Sequence, residues 1–242
     1  MAAGRKAILP VLLLLAVAAA GMMAVPRQEE LVLARQRMID EIRLRGVTDS
    51  AVLAALDSVP RHLFVPESVR GAAYDDRPLS IGFGQTISEP YMVALMTSLL
   101  DVHPGDRILE IGTGSGYQSA VLSRLGAEVY SIEIITPLGE RARRTLGELG
   151  YRNVHLRIGD GYEGWPNAAP FNGIIVTAAP PRIPAPLLQQ LKRGGKLVIP
   201  VGDSLQDLLV LTRRRDGGFD RRRVMPVLFV PMTGEAQRRE PP

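Results

Sequence analysis

Between Arg107 and Val201 short apolar runs alternate with amphipathic stretches, and that rhythm restricts the fold more than any other feature of the chain. Strands are expected at 107–111, 128–133, 154–158, 174–177 and 196–201, with helices at 117–125, 137–149 and 185–191 between them. Strands joined through helices need crossover connections, so they form a parallel sheet with helices on both faces. Residues 208–213 and 224–230 read as two further strands, and the turn signal "DGGFD" between them predicts an antiparallel pair at one edge. The fold class is therefore α/β, a doubly wound and mostly parallel sheet with an antiparallel edge pair.

Upstream, Leu31, Ala34, Met38, Ile42 and Leu44 recur at mostly helical spacing, which predicts a helix over 28–45 ended by Gly46. Thr48 or Asp49 can cap a second helix over 50–58, which Pro60 stops. The stretch 61–90 is rich in Gly, Pro and Asp and reads as a loop; at that length it is expected to be a lid or a binding loop. A helix over 90–100 follows, with Ser88 placed to cap it.

A length of 242 residues suits one large domain with an N-terminal extension. The hydrophobic content of 46% with 22% charged residues excludes a largely disordered chain. The net charge is +4, and Arg5 and Lys6 supply two of those charges, so the remaining surplus does not by itself imply nucleic acid. With no cysteine, disulfides, thiolate catalysis and cysteine-ligated metal are excluded. His62, His103 and His155 are scattered, and no metal site is expected.

The stretch "LEIGTGSGYQ" follows the first strand of the parallel set, at the place where such sheets bind ligands. Glycine there lets the backbone turn sharply and approach a ligand closely. A dinucleotide fingerprint G-x-G-x-x-G would need glycine where Tyr117 stands, which favours a ligand without a pyrophosphate. Glu133 ends the second strand about 20 residues further on, where an acidic side chain can accept both ribose hydroxyls; it could also be a plain solvated carboxylate. Asp160 and Gly161 end the third strand, where a carboxylate can accept from an adenine amino group; taken alone the pair could equally be a turn. Together the three strand ends suit an adenosyl ligand.

Six segments carry a resemblance: "RHLFVPE" (61–67), "AYDDRPLSIGFGQTISEPYMVALMTSLL" (73–100), "ILEIGTGSGYQSAVLS" (108–123), "GDGYEGWP" (159–166), "APFNGIIVTAAPP" (169–181) and "LKRGGKLVIPVG" (191–202). In them the chain resembles the protein-L-isoaspartate O-methyltransferases, from about Gln36 to Thr233. The glycine loop is shared by many S-adenosylmethionine-dependent methyltransferases, whereas "GQTIS" before a Pro-led helix is more specific. The resemblance implies a Rossmann-like methyltransferase sheet and methyl transfer from S-adenosyl-L-methionine to the free carboxylate of L-isoaspartyl residues in damaged proteins and peptides.

It marks Ser88 as the active-site position, expected to orient the substrate carboxylate by a hydrogen bond, with Thr86 and Ile87 bordering the same pocket. The expected cofactor-binding residues are Glu110, Gly112, Thr113, Gly114, Gly116, Glu133, Asp160 and Gly161. The expected organisation is an apolar extension over 1–26, one methyltransferase domain over 27–234, and a frayed tail over 235–242. Within the domain, 27–100 holds the N-terminal helices and substrate loop, 101–202 the cofactor core, and 203–234 the last strands. Two departures from the family pattern stand out: Glu89, where bacterial members usually carry Gln, and Asn172-Gly173, where they carry Asp-Ala. Glu89 is expected to weaken an anionic substrate's binding, and Asn172-Gly173 to be structural.

A carboxylate with a pKa near ~4 is ionised at neutral pH, so the attacking oxygen needs no general base. Positioning is then the main source of catalysis. "TGSGY" lacks the G-x-S-x-G frame of a serine hydrolase, and "TAAPP" stands where amino-methyltransferases of nucleic acid place N-P-P-Y. The arginines at 213–215 and 221–223 flank a turn and read as a solvated face, so nucleic acid is not an expected partner. The open alternatives are an NAD(P)-dependent oxidoreductase and a non-catalytic adenosyl-binding module. A monomer is expected. Arg5 and Lys6 ahead of "AILPVLLLLAVAAAGMMA" have the layout of an export signal, with cleavage after Ala20 or Ala24. Pro10 and Gly21 weaken it as a spanning helix, and Met22, Met23 or Met38 could be the start. Supply of the methyl donor favours the cytoplasm, which is the expectation; periplasmic export or an inner-membrane anchor through 5–24 is its rival.

Overall fold

The computed structural model describes residues 28–238, so the readings made on 1–26 and on the last four residues lie outside the described part. The chain runs α1 (Gln28–Leu44), α2 (Ser50–Ser58), β1 (Leu79–Gly82), β2 (Gln85–Ile87), α3 (Pro90–Leu100), β3 (Arg107–Ile111), α4 (Tyr117–Arg124), β4 (Glu128–Glu133) and α5 (Thr136–Glu148). It continues with β5 (Val154–Ile158), β6 (Phe171–Val176), α6 (Ala185–Gln190), β7 (Leu191–Val201), β8 (Gln206–Arg213), β9 (Phe219–Val227) and α7 (Glu235–Arg238).

Seven strands form one sheet in the order β5-β4-β3-β6-β7-β8-β9. The first five are mutually parallel, and β8 and β9 run antiparallel at the far edge. The order reverses at β3, whose neighbours are β4 on one side and β6 on the other, so a crevice opens beyond its carboxyl end. Along β3 the side chains alternate between two cores: Ile108 packs with Met96, Leu100 and Val198, whereas Leu109 and Ile111 pack with Ile174, Leu187 and Leu197. Burial on both faces explains why these strands read as continuous apolar runs. A third core joins α1 and α2 to α3, α4 and α5 through Met38, Leu56, Val93, Tyr117 and Leu146.

Asp49 caps α2 by accepting from the amides of Ala51 and Val52, and Asn172 accepts from the Arg107 amide at the foot of the sheet. A methyl group on Gly173 would stand 2.9 Å from Leu100, so the Asn172-Gly173 departure is accommodated by packing.

Three expectations need correction. Residues 61–90 are not plain loop: they hold two 3₁₀ turns, Arg61–Leu63 and Glu67–Ala72, and the hairpin β1–β2. Ser88 does not cap α3; Glu89 occupies the cap position without a side-chain bond of its own, and the Tyr91 amide in the first turn donates instead to Asp76 at 2.9 Å. The stretch expected to fray carries α7, whose first amide, from Glu235, donates to Asp160 at 2.8 Å.

Candidate active site

The loop after β3 is fastened from both neighbours. Amides of Gly112 and Thr113 donate to the Ile132 carbonyl on β4, and the Thr177 hydroxyl donates to the Gly112 carbonyl at 2.7 Å from the end of β6. A side chain at Gly112 would sit 2.6 Å from that hydroxyl, on a backbone with φ +95°, so only glycine fits. Gly116 packs its bare α-carbon against Leu146 and Ala142 and faces α5.

Glu133 reaches from the end of β4 under this loop. One carboxylate oxygen accepts from the Gly114 amide at 2.7 Å and the other from the Ile135 amide at 2.9 Å. Each oxygen keeps a further lone pair for a ligand.

Beneath the loop, Glu110 is fully buried (0% exposed) and lies outside the cavity walls, accepting from Ser119 and from Ser131 at 2.6 Å. Burial pushes its carboxyl up to about 7, against the two hydroxyl bonds and with the Glu133 charge adding to the rise. Thr113 joins the same network through Ser131 at 2.6 Å. Asp160 accepts from the Tyr162 and Glu235 amides and fixes the loop after β5, while Gly161 is the residue of that pair facing the crevice. A methyl group on Gly161 would collide with Ile111.

Three cavities meet above the switch point and share Thr86 and Thr177. The first, about 600 Å³, is lined by Gly112, Gly114, Glu133 and Gly161, by isoleucines at 111, 132, 134 and 135, and by the segment 230–233. Among the described residues no lysine or arginine lines it. The second, about 420 Å³, runs from the glycine loop to Ile87 and Ser88. The third, about 800 Å³, passes Ser88, Glu89 and Met92 on one side and Met225 to Val230 on the other. Ser88 thus stands where the second cavity gives onto the third. Its hydroxyl has no protein partner among the described residues, and its carbonyl accepts at 2.7 Å from Arg61.

Arg61 is the contribution that sequence reasoning missed. It is wholly buried, donates to the Ala73 and Ser88 carbonyls at 2.7 Å each, and lies over the Tyr117 ring. Burial lowers its pKa to about 10, so it stays charged at neutral pH. A lone arginine before a proline-rich stretch carries no signal of burial. Thr177 and Val230 were read only as strand ends and 231–233 were given no site role, because their part in the crevice depends on contacts across the sheet.

The crevice combines a fixed carboxylate, bare glycine backbone and isoleucine walls. That set suits a nucleoside with a cationic tail; the two negative charges of a pyrophosphate would meet Glu133 with no cation to offset them. No group of acidic or histidine side chains among the described residues could hold a metal ion.

A family model described as Protein-L-isoaspartate(D-aspartate) O-methyltransferase matches residues 33–237. A relative from Gloeobacter violaceus named Protein-L-isoaspartate O-methyltransferase is 56% identical over 201 residues, covering 82% of this chain and 98% of its own. One of the same name from Opitutus terrae is 56% identical over 203 residues, covering 83% and 87%. A solved protein-L-isoaspartate O-methyltransferase superposes with a TM-score of 0.76 at 29% identity, over 84% of this chain and 67% of that one. A Plasmodium falciparum structure described as a beta-aspartate methyltransferase in complex with S-adenosyl-L-homocysteine has a TM-score of 0.73 at 25% identity, over 82% and 98%.

Proposed function

The chain belongs to the protein-L-isoaspartate(D-aspartate) O-methyltransferase family, and from that premise we propose how its residues move a methyl group from S-adenosyl-L-methionine to the free carboxylate of an L-isoaspartyl residue. The enzyme is a protein-repair transferase acting on damaged proteins and peptides. When bound, the donor supplies a methyl group on a sulfonium, an electrophile that a carboxylate can attack directly.

Glu133 would hold the ribose hydroxyls with its remaining lone pairs, and the Gly112–Gly116 loop and Gly161 would admit the nucleoside against bare backbone. Glu110 and Thr113 act from below by fixing the loop, and Gly116 by seating it on α5. Asp160 serves the adenine end by anchoring the Gly161 turn. Ser88 would donate its hydroxyl hydrogen to the substrate carboxylate, with Thr86 and Ile87 closing the pocket. The incoming oxygen is already charged, so no side chain has to remove a proton. The protein's task is alignment and exclusion of water, and alignment alone can supply ~7–11 kcal/mol in well-oriented reactions.

The observation that carries this reading is the junction at Ser88: the pocket beside the glycine loop, whose lining holds no lysine or arginine among the described residues, gives there onto a further cavity of about 800 Å³ that is open to solvent. The test is transfer of labelled methyl groups to an isoaspartyl peptide and to its aspartyl isomer. Only the former is expected to be labelled, and Ser88→Ala is expected to lower kcat/KM about 10- to 100-fold, the worth of one hydrogen bond to a charged group. Because Ser88 does not cap α3, its unfolding midpoint should stay within the range of a neutral substitution. Labelling of both peptides alike would overturn the reading. We infer further that the enzyme works as a monomer in the cytoplasm, where the methyl donor is made, without nucleic acid. No helix among the described residues is long and apolar enough to cross a membrane. A mature chain beginning near Gly21 in a periplasmic fraction would refute the cytoplasmic assignment.

A further inference from the structure

Among the described residues Glu89 is the sole ionisable side chain lining the cavity of about 800 Å³ beyond Ser88; the rest of the wall is Pro78, threonine, serine, methionine and the segment 225–230. The residue is half-buried, and its carboxylate has no hydrogen bond or ion pair among the described residues. The charges near it make their hydrogen bonds to other groups: Arg45 pairs with Asp76 and lies 3.4 Å above the Tyr91 ring, and Arg61 donates its Nε and Nη2 to the carbonyls of Ala73 and Ser88 while its Nη1 is buried without a partner. Burial and Asp76 push the Glu89 carboxyl up, while Arg45 and Arg61 pull it back down.

The substrate must bring one negative charge to Ser88, immediately beside this carboxylate. In a half-buried groove two like charges repel with little screening, so binding is favoured when the peptide also carries a cation. We propose that Glu89 sets the sequence preference of the peptide groove, selecting isoaspartyl sites flanked by lysine or arginine and rejecting those flanked by acidic residues. This inference rests on the isoaspartyl reading and adds a specificity to it. The mechanism is rejection of the wrong charge as much as attraction of the right one.

The test compares kcat/KM for isoaspartyl peptides that differ only in carrying Lys or Glu beside the isoaspartyl residue, at low salt. A Lys preference of about tenfold is expected of the wild type, which corresponds to one partly screened charge pair. Glu89→Gln should bring the ratio close to one, Glu89→Asp should retain most of it, and added salt should shrink it in the wild type. A ratio unchanged in Glu89→Gln, or equal for the two peptides in the wild type, overturns the proposal while leaving the activity standing. Failure of the wild type to methylate any isoaspartyl peptide overturns both, and is told apart by the absence of labelling in every arm.

Discussion

Two buried ionisable residues support the site from outside it. Arg61 fixes the Ser88 carbonyl from below, and Glu110 ties Ser119 and Ser131 under the glycine loop. Glu110 carries a consequence for stability. Its carboxyl titrates near 7 in the folded protein against about 4.5 for an ordinary glutamate, so the native state holds a proton that the unfolded chain gives up. Its contribution to stability is therefore fullest below about 4.5 and is lost as the pH rises to about 7, a change of about 3 kcal/mol. Glu110→Gln removes the titration and keeps an oxygen for both serines. Urea unfolding of the two proteins from pH 4.5 to 7.5 should show the variant gaining on the wild type by that amount; parallel profiles would refute the assignment. Residue identity made the glycines and Glu133 legible, because their position after successive strands is a sequence property. It made Glu110 legible only as a member of the motif: that it lies below the loop depends on the register Glu110↔Ser131 between neighbouring strands.

Among the elements, those with a long apolar period were legible from the sequence nearly to the residue, as α3 and β3 to β5 illustrate. The hairpin β1–β2 was not: its strands are four and three residues long, and its turn places Phe83 at φ +56°, a conformation no local pattern announces. Ser88 follows directly from that hairpin, which is why it could be taken for a helix cap. The glycine loop is the element that lines both the first and the second cavity, and it joins β3 to α4 while bonded to Ile132 on β4 and to Thr177 at the end of β6. Gly112→Ala should break that arrangement through both the left-handed backbone and the contact with Thr177. Strain of this kind costs about 1–3 kcal/mol, and the displaced loop should also weaken binding of S-adenosyl-L-homocysteine by tenfold or more. Denaturation and calorimetric titration measure the two effects. An Ala variant as stable and as tight-binding as the wild type would show that the loop has room the geometry denies it.

At the scale of the whole molecule, the donor crevice is assembled from distant parts of the chain. Its walls come from β2, β3, β4, the turn after β5, the end of β6 and the segment 230–233, which Ala179 holds through an amide to Val230 and a carbonyl to Met232. Sequence patterning reached the sheet and its switch point but not this closing segment, because pairing between residues some 50 apart leaves no periodic trace in either partner. A ligand bridging these walls ties elements from both halves of the fold, so its binding energy must appear as global stability. At 100 times its dissociation constant, a ligand that binds only the native state adds about 2.7 kcal/mol. S-adenosyl-L-homocysteine should therefore raise the unfolding midpoint in proportion to the logarithm of its concentration. NAD should not, since its pyrophosphate would face Glu133 across a wall that holds no lysine or arginine. Thermal melts with each ligand over a hundredfold range of concentration separate the two chemistries. Stabilisation by NAD, or none by the adenosyl ligand, would mean that the crevice beyond β3 is not where the methyl donor binds.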